Sequence, residues 1–219
     1  MQDTACHEWR EVVDRIDGAI RDGATELDPT DGFTGDERAR IVTLPSSIAR
    51  LTTVRRLSMV ASFLTRVPPE IGAMTSLADL NLYMSYRLHF LPYEITRCPS
   101  LVDSCISTRA LFGSFSNRGH FPDLLHADNS AALAVLRPST CSVCNTALPA
   151  TGAVDRWITL RIGTDVVPLL VSACSLECIA TLPTPPAHYV SHPHTGGSAV
   201  MQPTDWPFQN ARNESSALS

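Results

Sequence analysis

An α/β fold is predicted from a motif that returns three times, an amphipathic segment before it and two cysteine pairs after it. The motif is Leu44-Pro45-Ser46-Ser47-Ile48, and it returns as Val67-Pro68-Pro69-Glu70-Ile71 and as Leu91-Pro92-Tyr93-Glu94-Ile95. The openings lie 23 and 24 residues apart. A period of roughly 20 to 29 residues with leucines at fixed offsets indicates a short solenoid of about three coils with parallel strands.

Each coil contributes a short strand, and alternation along the strand sends residues such as Leu80 and Leu82 into the core. The outward positions are predicted to contact a protein partner, with Tyr83 as the aromatic anchor. These positions are Arg56, Ser58, Val60, Asp79, Asn81, Tyr83, Asp103, Cys105 and Ser107. Trp157, from a later segment, is expected to share in that contact.

The three aligned copies resemble the leucine-rich repeat family, in its LPxxI subclass. The resemblance implies a protein-interaction scaffold without catalytic activity. Members of that family usually place Asn where the strand turns, and here those positions hold Ser62, Ser85 and Arg109. Ser104 also stands where a leucine is usual, so the third coil is expected to be irregular.

The first 40 residues are predicted to cap the first coil. Residues 6–22 have apolar side chains at helical spacing, with Asp3 or Thr4 as the N-cap and Gly23 past the end. Residues 24–27 are interpreted as a degenerate first strand. Residues 28–40 are rich in turn-forming residues and predict an acidic loop.

Two cysteine pairs predict a metal site near the C-terminus. Cys141-x-x-Cys144 precedes two predicted strands, 156–162 and 166–172, and Cys174-x-x-x-Cys178 follows them at the start of a helix. This order is that of a treble-clef site, in which four thiolates hold one structural Zn²⁺. Pro168 falls inside the second strand, so that strand is expected to be an edge or bulged there.

The same segment resembles the C-terminal extension of a group of small intracellular leucine-rich repeat proteins. The matching residues are the four cysteines, Gly163, Val167-Pro168-Leu169-Leu170 and Ser175. A CxxC redox site or thiol-dependent enzyme is the alternative to structural zinc, and buried cysteines without a metal are a third interpretation. Four cysteine ligands would leave no open position for catalysis, so the chain is predicted not to be an enzyme.

Charge and hydropathy narrow the class of partner. Residues 1–40 carry eleven acidic residues against five arginines, residues 41–118 carry eight arginines against four acids, and the whole chain has a net charge of −5. Neither nucleic acid nor a membrane is expected as a partner. The N-terminus lacks the basic start and apolar run of a secretory signal, so a cytoplasmic location is expected.

The predicted organisation has five parts. Residues 1–40 form the N-terminal cap, 41–115 the repeats, 116–138 a connector with a short helix over 129–136, and 139–182 a zinc-binding ββα module. Residues 183–219 are rich in Pro, Ser, Gly and His, and are predicted to be disordered.

Overall fold

The computed structural model describes residues 1–114, 119–126 and 137–200. The described residues form a mixed α/β fold built on a parallel sheet, which is compatible with a leucine-rich repeat arrangement. The sheet contains β1 (Glu26–Leu27), β2 (Arg56–Ser58), β3 (Asp79–Leu82) and β5 (Asp103–Ile106), side by side in that order. The described part of the chain contains no helix with the length and apolar character needed to cross a membrane.

The repeated motif sets the register of the sheet. Leu57 pairs with Leu80, and Leu80 pairs with Ser104, so partners lie 23 and 24 residues apart as the motif does. Before β2, β3 and β5 the chain makes a 3₁₀ helix directly after a proline, and the three helices are Ser46–Arg50, Pro69–Ala73 and Tyr93–Arg97. Their isoleucines, Ile48, Ile71 and Ile95, are buried in one shared core.

Serine side chains lie where the strands turn, at positions where the resemblance stated above implies asparagine. The hydroxyl oxygens of Ser62 and Ser85 lie 2.7 Å apart in the interior, and the Ser85 hydroxyl donates to the carbonyl of Met59. In the third repeat Ser107 fills this role instead of Arg109, because its hydroxyl accepts from the backbone N–H of Met84 at 2.7 Å. Arg109 is exposed, so the predicted alignment of the third turn shifts by two residues.

The N-terminal segment covers the first repeat. Helix α1 (His7–Asp22) buries Val12 and Ile16, and Gly23 ends it at φ 63°. Its N-cap is Cys6, whose sulfur accepts from the N–H of Trp9, and not Asp3 or Thr4 as predicted. The 28–40 loop contains a short helix, α2 (Gly35–Arg38), which begins with a reciprocal capping box between Thr34 and Glu37.

A second sheet packs against the repeats, and its strand β4 comes from the third repeat. Strands β6 (Val154–Ile162) and β7 (Asp165–Ala173) form an antiparallel hairpin, and β4 (Leu91–Pro92) pairs in parallel with β7. The predicted edge position for Pro168 needs correction, because β7 is the central strand of this sheet. The pairing with β4 begins only at Leu169, so the missing N–H of Pro168 does not interrupt it.

The tip of this hairpin closes the parallel sheet at β5. The Asp165 carboxylate accepts from the backbone N–H of Ile106 at 2.8 Å, and burial raises the pKa of Asp165. Ser104 donates to the carbonyl of Ile162 at 2.7 Å and accepts from the N–H of Asp165. A polar residue stands at this leucine position because its neighbour is the hairpin tip and not another repeat.

The predicted modules share a single core. Leu91 and Ile95 of the third repeat belong to the same buried cluster as Ile158, Val167 and Leu169 of the hairpin. The boundary proposed between 41–115 and 139–182 therefore does not separate two cores. The connector helix predicted over 129–136 lies outside the described residues.

Residues 183–200 are ordered as a strap across β6, which corrects the prediction of disorder for this part of the tail. The N–H and carbonyl of His194 bond the carbonyl and N–H of Trp157 at 3.0 and 2.8 Å. Trp157 is fully buried, with Phe90, Phe112 and Phe121 around it. The remaining tail, 201–219, lies outside the described residues.

Substitution of Gly163 by Ala tests the docking of the hairpin tip. Gly163 has φ 58°, and a Cβ there would lie 2.7 Å from the carbonyl carbon of Asp103. We expect Gly163→Ala to lower the free energy of unfolding by about 2–3 kcal/mol, through backbone strain and collision together. Urea unfolding followed by circular dichroism measures it.

Gly152→Ala is the matched control. Gly152 also has a positive φ, 85°, but a Cβ there meets no atom within 4 Å. It should cost only about 1 kcal/mol, from backbone strain alone. Equal losses in the two variants would contradict the tight packing of the tip on β5.

The strap makes stability depend on pH through His194. Burial of the ring lowers the pKa of His194 from 6.5 to about 4, with a smaller contribution from His192. Between these values the unfolded chain binds more protons than the folded one, so the free energy of unfolding rises with pH in this window. We expect a loss of at most about 3 kcal/mol on going from pH 7 to pH 4.

Urea titrations at pH 7 and pH 5 on the His194→Gln variant measure this contribution. The variant should lose part of the stability difference between the two pH values, because the unfolded state no longer gains that proton. His120→Gln, at an exposed histidine, is the control and should keep the full difference. An unchanged difference in His194→Gln would rule out this source of pH dependence.

Candidate metal centre

Four cysteine sulfurs meet where the hairpin ends. Cys141 and Cys144 lie in the turn before β6, Cys174 follows β7, and Cys178 lies in α3 (Leu176–Ala180). All four sulfurs lie within 4.8 Å of one another. The Cys144–Cys174 and Cys174–Cys178 sulfur distances are both 3.6 Å. The two pairs predicted from sequence are therefore one cluster.

The backbone around Cys141 shapes the first half of the cluster. The chain turns tightly because the N–H of Asn145 donates to the carbonyl of Cys141 at 3.0 Å, with Asn145 at φ 65°. Three backbone N–H groups, from Val143, Cys144 and Cys174, donate to the Cys141 sulfur at 3.4 to 3.5 Å. This sulfur is thus oriented and partly charge-stabilised before any ligand binds.

The second half is shaped by the start of α3. The Ser175 hydroxyl accepts from the N–H of Cys178 and caps the helix. This cap fixes the helical turn that brings Cys178 to 3.6 Å from Cys174. The spacing CxxxC follows from this geometry, because Cys174 lies directly before the N-cap Ser175 and Cys178 lies in the first turn of the helix.

The arrangement fits a tetrahedral metal with sulfur ligands. A Zn–S bond of about 2.3 Å places the sulfurs of a tetrahedral site about 3.8 Å apart, close to the 3.6 Å distances seen here. A disulfide needs sulfurs at about 2.05 Å, and all four cysteines are free thiols. The cluster can therefore hold a metal ion without rearrangement of its backbone.

The thiols differ in their acidity. Hydrogen bonds from the Thr146 side chain and backbone, and then from Cys141 and Cys174, lower the pKa of Cys144 to about 6. Hydrogen bonding to Cys174, and then to Cys144, raises the pKa of Cys178 to about 12. Burial raises the pKa of Cys141, but the three N–H donors outweigh it and lower that pKa. Neighbouring thiolates repel, so the metal-free cluster retains protons that a dication would displace.

Arg97 connects the cluster to the third repeat. Its guanidinium donates to the carbonyls of Cys141 and Ser142 at 3.0 and 2.8 Å. Ser142 in turn pairs with Ser172 of β7 through backbone and hydroxyl bonds of 2.8 and 3.0 Å. The sequence analysis did not identify Arg97, because nothing in the cysteine spacing points to a residue 44 positions earlier in the chain.

A partly buried ion pair supports the other side of the hairpin. Arg137 donates to both carboxylate oxygens of Asp155, and the Ser172 hydroxyl donates to the same carboxylate at 2.7 Å. Hydrogen bonding to Asp155 raises the pKa of Arg137. This contact anchors the chain just before the first cysteine onto β6.

The predicted partner face is mostly accessible. Arg56, Tyr83, Asp103 and Cys105 are exposed, and the other members Ser58, Val60, Asp79 and Asn81 are half-buried. Ser107 and Trp157 are buried, so neither can contact a partner in this conformation. The sequence analysis missed Met84 and Tyr86, which are exposed beside Tyr83.

Comparisons with known proteins add little. No family model matches the sequence, and no curated protein matches it. The solved structure of a leucine-rich repeat protein from Leptospira interrogans is 34% identical over 31% of this chain, with a TM-score of 0.29. The match spans only 17% of that protein's own length, so its properties do not transfer to this chain.

Thiol labelling distinguishes a core cysteine from a surface one. Cys98 is buried, donates to the carbonyl of Ile71, and has its pKa raised to about 11 by burial. Cys105 is exposed on β5. We expect iodoacetamide at pH 7.5 to alkylate Cys105 and to leave Cys98 unmodified, as read by peptide mass mapping. Both should react in urea, and labelling of native Cys98 would contradict its place in the core.

Proposed function

We propose that the protein is a leucine-rich repeat scaffold without catalytic activity that binds a protein partner through its exposed strand face. In this proposal the repeats form a short solenoid, and one structural Zn²⁺ bound by Cys141, Cys144, Cys174 and Cys178 stabilises the hairpin that closes it. The carrying observation is the in-register parallel sheet with an accessible outer face.

The chemistry of that face favours a protein partner. Tyr83 is 51% exposed and Tyr86 is 56% exposed, and exposed aromatic side chains are frequent energetic centres of protein interfaces. Arg56 pairs with Asp79 at 3.1 Å, which leaves that cation partly neutralised. A phosphate backbone would require a stripe of unpaired cations, and the face instead has one arginine, Arg56, beside two aspartates, Asp79 and Asp103.

The metal is proposed as structural because of its ligands. Four thiolates in a near-tetrahedral cluster suit Zn²⁺, and they leave no coordination position for water or substrate. When bound, the ion supplies positive charge that keeps all four cysteines deprotonated. It also joins the turn, the end of β7 and α3 at one point.

The position of the cluster supports a capping role. The Arg97 bonds to the cysteine turn, the pairing of β4 with β7 and the hairpin tip on β5 all hold the cysteine-bearing segment against the third repeat. Since about three repeats are the minimum for a stable array, the last repeat gains its buried surface from this segment. A cytoplasmic location is proposed as well, because a reducing compartment would keep the four cysteines available as metal ligands.

The alternative is a thiol-dependent redox activity. The exposed position of Cys144 at the rim of the cluster is the observation that favours it. In that case the sulfurs would interconvert between dithiol and disulfide, with the two electrons passing to an external thiol–disulfide couple. The clustering of four sulfurs, and not two, favours the metal.

Native mass spectrometry tests the metal. We expect a mass increase of one zinc ion per chain, which is lost in Cys174→Ser and kept in the control Cys105→Ser. Chelation should lower the melting temperature of the entire core, because zinc contributes on the order of 10 kcal/mol to the folding of small modules. A folded, metal-free protein that is two hydrogens lighter would instead support the redox alternative.

The partner face is tested by the double variant Tyr83→Ala and Asn81→Ala. Asn81 accepts from the N–H of Tyr83 at 3.1 Å, so the two residues present one surface together. We expect loss of at least tenfold in partner affinity, of the order seen at interface centres. Quantitative pull-down measures this, with Leu125→Ala, at a 75% exposed site, as the control. Equal recovery by both variants would exclude this face.

A further inference from the structure

A cavity of about 310 Å³ lies between the repeats and the second sheet. Its walls include Val67 and Pro68 of the second repeat, Phe90 and Pro92 of the third, and Leu170 of β7. None of the four clustered cysteines and none of the outward strand positions lines it. The volume falls in the range of pockets that bind small molecules, and its walls combine apolar side chains with polar ones, among them two glutamates and two arginines.

Glu94 lines this cavity and is poorly satisfied there. The side chain is 2% exposed, and its Oε1 has no hydrogen-bond partner among the described residues. Its one side-chain donor is Ser142. A buried carboxyl oxygen without a donor is rare in folded proteins and requires an explanation. A bound ligand that carries hydrogen-bond donors would supply the missing partner.

A second carboxyl group lines the same cavity. Glu70 occupies the position equivalent to Glu94 in the preceding repeat, and it is half-buried. Two carboxyl groups in one cavity wall favour a cation beside them, because each stabilises a positive charge brought out of water. Burial raises the pKa of Glu94 above its usual value, and Glu70 adds slightly to the rise, while the Ser142 hydrogen bond and the nearby Arg97 charge oppose it.

Two arginines also line the cavity, and only one of them is free to bind an anionic group. Arg137 is already bound to Asp155, so its charge is committed. Arg66 forms no ion pair with a described residue and also lines the cavity. A ligand could place an ammonium group at Glu94 and an apolar body against Val67, Phe90 and Leu170. If the ligand also has an anionic group, Arg66 is free to bind it.

We propose that this cavity binds a small organic molecule in which a primary ammonium group is attached to an apolar body, with the ammonium donating to Glu94. The shared chemistry is that of free aliphatic or aromatic amines and of apolar α-amino acids. The proposal goes beyond the scaffold role and is independent of the strand face.

Phenethylamine is the probe, and isothermal titration calorimetry on the full chain is the measurement. A ligand of this size is expected to bind one site with a dissociation constant on the order of millimolar. The matched neutral compound, 2-phenylethanol, should bind at least tenfold more weakly, because it has the same body without the positive charge. L-Phenylalanine distinguishes amines from amino acids as ligands. If it binds more tightly than phenethylamine, and if Arg66→Gln removes that advantage, the site is assigned to amino acids. If it binds more weakly, the site is assigned to amines.

Glu94→Gln should weaken phenethylamine binding about tenfold or more. The variant keeps the size of the side chain and an acceptor for Ser142 but removes the charge that faces Arg97, so urea unfolding checks that the fold persists. Glu177→Gln, at an exposed carboxyl on α3, is the matched control and should bind as the unmodified chain does. Ser46→Trp, at an exposed residue on the rim, should block the cavity without disturbing the core.

Three results would overturn the proposal. The first is absence of saturable phenethylamine binding to the folded chain, and the second is unchanged affinity in both Glu94→Gln and Ser46→Trp. The third is equal affinity for 2-phenylethanol, which would remove the requirement for a cation. Loss of partner binding would leave these outcomes unaffected, so failure of the scaffold proposal is distinguishable. Loss of the metal could disturb the cavity, because Ser142 in the cysteine turn contacts Glu94, so every titration uses the metal-loaded chain.

Discussion

The hydrogen bond from the Ile106 backbone to Asp165 marks where the parallel sheet stops. A parallel sheet built from repeats has no inherent end, because each strand offers its neighbour an identical row of unpaired backbone groups. Here the hairpin tip occupies that edge and presents a carboxylate, a hydroxyl and a tight glycine turn in place of another strand. The hairpin, the cysteine cluster and the strap all depend on this closure for their position.

The cysteine cluster lies at the far end of the same hairpin. Thr164 and Asp165 contact β5 at one end, while Ser172 and Cys174 lie beside the cysteine turn at the other. The long, mostly buried strand β7 joins the two ends, and β4 pairs with it midway. Any ion at the cluster would therefore act on the last repeat through a continuous hydrogen-bonded sheet, and Arg97 provides a second connection.

Local patterns in the sequence predicted local structure well. The 23 and 24 residue spacing is the register of the sheet, the amphipathic segment is α1, and the CxxC and CxxxC pairs form one cluster. Long-range contacts were not predictable from spacing. From sequence, Ser104 is a departure from the leucine pattern, whereas in the structure it bonds the hairpin tip. Trp157 was predicted to contact a partner, because nothing in the sequence indicates that the strap covers it. The composition of residues 183–200 by itself favours disorder, but a few backbone hydrogen bonds and one aromatic cluster hold this strap in place.

Strand β4 lies in the third repeat by sequence and in the second sheet by pairing, since Leu91 and Pro92 open that repeat and pair with Leu169 and Leu170. The third repeat additionally carries Glu94, Arg97 and Ser104, each committed to the C-terminal segment. An extra repeat placed after this one would therefore separate those residues from their partners, whereas a copy of the second repeat placed before it would not. Duplication, in evolution or in the laboratory, could therefore lengthen this array only by adding repeats before the third one.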